Sequence, residues 1–145
     1  MYKAVLVPVD NSKLSMQALG EAKSLCEKLG ARLTVATVSP AYPMVIAGDG
    51  YIVEPISPKQ WKESVAAHHK AIAADVDKKL KGFAHTLASV TADYIHEGIL
   101  FAAKKHKCDL IVMASHGRRG IGALLLGSET TKVLTHTKLP VLVVR

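Results

Sequence analysis

Between residues 113 and 129 the chain reads Met113-Ala114-Ser115-His116-Gly117-Arg118-Arg119-Gly120-Ile121-Gly122-Ala123-Leu124-Leu125-Leu126-Gly127-Ser128-Glu129. Glycines carry no Cβ, so the backbone N–H groups around them can approach an anion closely. A helix opening at Gly127-Ser128 adds unpaired N–H groups and the positive end of its dipole. Arg118 and Arg119 supply charge of the sign a polyphosphate needs. The chemistry on offer is anion binding.

Better-known phosphate sites fit poorly. Gly120-Ile121-Gly122 lacks the third glycine of a dinucleotide fingerprint and does not follow the first strand. Gly122 to Ser128 has the spacing of a P-loop, but Ser128-Glu129 stands where Lys-Ser/Thr is required. A receiver-type aspartate needs an acidic cluster; Asp10 could join one, while Asp93 has no companion. The adjacent His68 and His69 point about 100° apart on a helix, so they cannot act as paired ligands. His96, His106 and His136 have no ligand spacing either, and no metal site made by side chains alone is expected. Ser12, Ser15 and Ser115 lie in no GxSxG elbow, so no catalytic residue is assigned. Asp10 and Ser128 are readable either as ligand contacts or as helix caps, and His116 as a phosphate contact or a local hydrogen bond.

Elements that would position these residues follow from periodicity. Lys3 to Val9 (KAVLVPV) suits a strand buried on both faces, and Asp10-Asn11-Ser12 offers a turn and an N-cap. Leu14 to Leu29 has helical spacing, with Gly30 placed to end it. Ala31 to Val38 is a second strand, stopped by Ser39-Pro40. Residues 40–58, with Pro40, Pro43, Pro55 and Pro58, read as a long loop. The spacing then predicts a helix from Lys59 to about Ala88, with Gly82 weakening its last turn, a strand over Ser89–Tyr94 and a helix over His96–Lys107. Asp109–Ala114 is a fourth strand, Gly127-Ser128 opens a helix to about Thr137, and Leu139–Val144 is the last strand. Alternation of strands and helices predicts one α/β domain: an open, twisted, five-stranded parallel sheet with helices on both faces. Ligands of such sheets sit at the carboxyl ends of strands, near the reversal of strand order. Pro8-Val9-Asp10, Val38-Ser39 and Met113 to Gly117 would meet there.

Composition narrows the classes. At 145 residues the chain has room for one domain. Its net charge of +7 permits an anionic partner, but aromatics are only 5% of residues. With no basic–aromatic platform or helix-turn-helix signature, no specific nucleic-acid partner is expected. No apolar run approaches the ~20 residues of a membrane span, and the N-terminus has no signal-peptide layout. Cys26 and Cys108 lie far apart without a CxxC, the usage of a reduced cytoplasmic protein.

ASHGRRGIGALLLGSETTKVLTHTKLPVLVVR resembles the C-terminal signature of the universal stress protein family. Gly117, the nine residues Arg118 to Leu126, Gly127 and Ser128 match the nucleotide-binding members' pattern, while Ala114 replaces its first glycine. VLVPVDNS resembles the family's first-strand motif and DLIVMASHG its fourth strand, so the resemblance covers nearly all of residues 1–145 as one such domain. It implies a Rossmann-like fold of the adenine nucleotide alpha hydrolase type and an adenine-nucleotide site for ATP, with Mg²⁺ or Mn²⁺ on the phosphates. By that resemblance Pro8, Val9 and Asp10 lie along the nucleoside, and Val38 and Met113 border the adenine. Gly117, Arg118, Gly127, Ser128 and Glu129 (through its N–H) surround the phosphates. It implies a stress-response binding or signalling module, and a homodimer paired through the apolar last strand, 139–144. Alternatives are a slow ATP hydrolase and a nucleotide-free structural dimer.

Overall fold

The computed structural model describes residues 1–43, 45–46, 52–53, 56–117 and 126–145. The chain runs β1 (Ala4–Pro8), α1 (Lys13–Leu29), β2 (Arg32–Pro40), β3 (Val45–Ile46), β4 (Ile52–Val53), α2 (Pro58–Lys79), β5 (His85–Ala92), α3 (Ile95–Lys105), β6 (Leu110–Ala114), α4 (Ser128–His136) and β7 (Val141–Val144). Five strands form one sheet in the order β5-β2-β1-β6-β7, and each adjacent pair is parallel. From β1 the chain winds outward through β2 and β5, then returns to the other side of β1 for β6 and β7. The reversal therefore lies between β1 and β6.

Strand alternation divides the core between the two faces. Val5 and Val7 of β1 and Val9 just after it, with Leu110 and Val112, pack against Ala18, Leu19 and Ala22 of α1 and Ile72 and Val76 of α2. Ala4 and Leu6, with Ile111 and Met113, pack against Ile99, Ala102 and Ala103 of α3 and Val133 of α4. Strands buried on both faces explain the continuous apolar runs in the sequence. Cys26 and Cys108 are both buried and free.

Local chemistry sets the boundaries. The Ser12 side chain accepts the Ser15 amide at 3.2 Å and caps α1, and Gly30 closes that helix in the left-handed region at φ 66°. A reciprocal capping box of Ser57 and Gln60 starts α2. That helix stops at Lys79, well short of Ala88, because the chain turns at Gly82 (φ 77°). The third sheet strand consequently begins at His85 and ends at Ala92, earlier than Ser89–Tyr94. Leu87, inside the span expected to be helical, stands on this edge strand and is 40% exposed. β2 continues two residues past Val38 because Ser39 and Pro40 stay in register with Thr91 and Ala92. Within the long loop, β3 and β4 form a short antiparallel pair.

Candidate functional site at the carboxyl ends of the strands

The carboxyl ends of β1, β2 and β6 and the start of α4 enclose a cavity of about 600 Å³, within the range of small-molecule sites. Of the residues singled out by sequence, Pro8 at the end of β1 and Val9 and Asp10 just beyond it line the cavity, with Val38 from β2 and Met113 from β6. Gly117, Gly127, Ser128 and Glu129 line it from the loop ends and α4. Arg118 lies outside the described residues, as do Arg119, Gly120 and Gly122.

The walls differ in chemistry. Ala36, Val38, Ile95, Ile99 and Met113 supply an apolar part of the lining. Ile95, Ile99 and Ala36 were not singled out by sequence, since their apolar spacing marks core and cavity wall alike. Gly98 was also missed. A Cβ built on it would stand 2.4 Å from Val38 Cγ1 and 3.2 Å from Ala92 Cβ, so its bare Cα lets α3 press directly on the strand behind the apolar wall.

The opposite wall is polar. Asp10 Oδ1 accepts the Ser12 amide at 3.0 Å, so Asp10 braces the turn before α1 while Ser12 performs the capping. A Cβ on Gly117 would lie 2.7 Å from Asp10 Oδ2, which brings the two loop ends together over the β1–β6 reversal. Gly127 donates its amide to the Ser115 carbonyl at 2.7 Å. Gly127, not Ser128, is the N-cap residue of α4, and as a glycine it has no side chain to cap the helix. The Ser128, Glu129 and Thr130 amides are therefore first-turn donors that an α-helix leaves unpaired.

Neighbouring contacts hold these groups in place. Thr130 Oγ1 donates to the Ala114 carbonyl at 2.9 Å, a buried bond that pins α4 to the end of β6. The Glu129 carboxylate accepts the His96 amide through Oε2 at 3.0 Å and Lys132 Nζ through Oε1 at 3.0 Å. It thereby caps α3, whose own N-cap residue, Tyr94, makes no side-chain capping bond. His96 is 8% exposed, with its ring 5.0 Å from that of His136. His116 Nδ1 lies 3.1 Å from Ser115 Oγ, a local contact.

Behind the apolar wall, Ser39 Oγ and His69 Nε2 are 2.6 Å apart and tie α2 to β2. Burial, and secondarily the neighbouring His68, push the His69 pKa down. Among the described residues no cluster of three or more His, Cys, Asp or Glu is arranged to hold a metal.

A family model, "Universal stress protein family", matches residues 1–145. The chain belongs to this family. A Thermus aquaticus relative, "Universal stress protein in QAH/OAS sulfhydrylase 3'region", is 32% identical over 145 residues, covering 100% of both chains. Among solved structures, that of MJ0577 superimposes with a TM-score of 0.78 at 26% identity, covering 99% of this chain and 96% of that one. A universal stress protein in complex with cAMP superimposes with a TM-score of 0.66 at 24% identity, covering 99% and 97%. These neighbours share the Rossmann-like parallel sheet. Among the described residues no helix is long and apolar enough to cross a membrane.

Proposed function

We propose that this family member binds ATP in the cavity at the carboxyl ends of the strands and acts as a cytoplasmic stress-response binding module. The observation that carries this reading is the pairing of walls around one cavity of about 600 Å³. The apolar lining would take a purine; the first-turn amides of α4, with Gly117 and Gly127 beside them, would take phosphates. Pro8, Val9, Val38 and Met113 would hold the nucleoside, with Asp10 accepting from a ribose hydroxyl or facing a phosphate-bound Mg²⁺ or Mn²⁺. Gly117, Gly127, Ser128 and the Glu129 amide would hold the phosphates, together with Arg118. The cAMP complex of a structural neighbour supports an adenine nucleotide as the ligand class.

The same reading includes a homodimer through the free edge of β7. Leu142 is 44% exposed there, and an apolar unpaired edge invites a second strand. Isothermal titration with ATP, AMP and GTP tests the nucleotide reading. ATP should bind tightest, AMP more weakly for want of outer phosphates, and GTP most weakly. No heat with any of the three would refute it.

A further inference from the structure

At the amino ends of β6 and β7, at the opposite end of the strands from the first cavity, the C-terminal ends of α3 and α4 border a second cavity of about 380 Å³. Leu100, Ala103, Cys108 and Leu139 form an apolar lining. Lys104, Lys107 and Lys138 stand around it. Among the described residues none of these three lysines takes part in an ion pair. The nearby acid, Asp109, is already committed to the Lys3 and Ala4 amides.

Helix ends explain only part of this. Lys104 sits in the last turn of α3, where a cation complements the carbonyl end. Lys107 and Lys138 lie beyond the helices. Lys107 also occupies a left-handed conformation, φ 52°, which glycine adopts at least cost. The same six-residue closure ends both α1 and α3: Ala31 donates to Cys26 O at 3.1 Å, and Cys108 to Ala103 O at 2.9 Å. In α1 the left-handed position is Gly30; in α3 it is a lysine at the cavity. A strained conformation kept for a charged side chain points to a use for that side chain.

We infer that this second cavity binds a small organic anion with an apolar body. Lys107 and Lys138 would hold its carboxylate or phosphate, while Leu100, Cys108 and Leu139 would receive the body. This site is independent of the nucleotide reading.

The test is amide proton–nitrogen correlation spectroscopy of the full chain, titrated with octanoate, octyl phosphate, octanol and inorganic phosphate. Saturable shifts at Lys107, Cys108 and Leu139 are expected with octanoate or octyl phosphate, and the tighter of the two identifies the head group. Octanol and inorganic phosphate, each lacking one half of the ligand, should bind at least several-fold more weakly. A Lys107→Gly/Lys138→Gln variant should lose about tenfold in affinity while keeping its spectrum otherwise native, since glycine suits the backbone at 107. The proposal is overturned by an absence of saturable shifts, by shifts confined to Ile99 and Met113, by equal affinity for octanol or inorganic phosphate, or by an undiminished affinity in the variant.

Discussion

Gly127 and Ser115 are joined by a 2.7 Å hydrogen bond from the glycine amide to the serine carbonyl, which ties the start of α4 to the end of β6. The contact explains why glycine is needed there. A Cβ at 127 would lie 2.9 Å from His116 Cα and 3.2 Å from the Ser115 carbonyl, so it would meet backbone before it met a ligand. A reading in which Gly127 only clears space for phosphates is therefore incomplete. Gly127→Val should reduce ATP binding at least tenfold and also destabilise the fold by about 1–3 kcal/mol, as overpacking does. Calorimetric titration with a parallel thermal melt checks both, and native ATP affinity would show that this junction does not build the site.

Gly98 offers a separable test of the apolar wall. Gly98→Ala would force Val38 aside, because the added methyl starts 2.4 Å from its Cγ1. A loss of about 1–3 kcal/mol in stability is expected. Since Val38 lines the cavity, ATP and AMP should weaken by the same factor. Unequal losses in the two titrations would place the adenine elsewhere.

Edge geometry predicts how the proposed dimer can be broken. Ile111 donates to the Pro140 carbonyl and Ser115 to the Val144 carbonyl, so the even-numbered residues of this segment face β6. Alternation turns the N–H groups of Val141 and Val143 toward the open edge. Val143→Pro thus removes an outward donor and spares the β6–β7 ladder. Light scattering should report monomer with native circular dichroism; an unchanged dimer would exclude this edge.

Asp109 links stability to pH. Burial disfavours its charge, but the amides of Ala4 and Lys3 and the N-terminal ammonium outweigh that and hold its carboxyl below the ordinary 3.8. Because the folded pKa is the lower one, the contribution is fully present above the unfolded carboxylate range and is lost as pH falls through the folded value. Asp109→Asn should cost about 1 kcal/mol or less at neutral pH, allowing for solvent screening. The two proteins should converge below about pH 4. Urea melts across that range provide the check, and a constant gap down to the lowest pH would assign the loss to packing.

The sheet and its helices were legible in the chain because strands buried on both faces must be written as apolar runs, as in KAVLVPV and DLIVMA. Ser12 and Gly30 announced their boundaries through local hydrogen bonding and left-handed backbone, which need no distant partner. The end of α2 was harder to read. Leu80, Phe83 and Leu87 continue a helical period by coincidence, and only pairing of His85–Ala92 with β2 decides that the last of them belongs to a strand. Residue types and spacing also singled out Pro8, Asp10, Gly117 and Gly127 as candidates. Their grouping around one cavity depends on strand order, since β1 and β6 become neighbours only through the return crossover. Gly98 against Val38, Glu129 capping α3 and Lys107 in a glycine's conformation belong to tertiary structure alone. Each is a contact or backbone angle imposed by elements distant in sequence or by chain closure, and one-dimensional spacing carries no record of it.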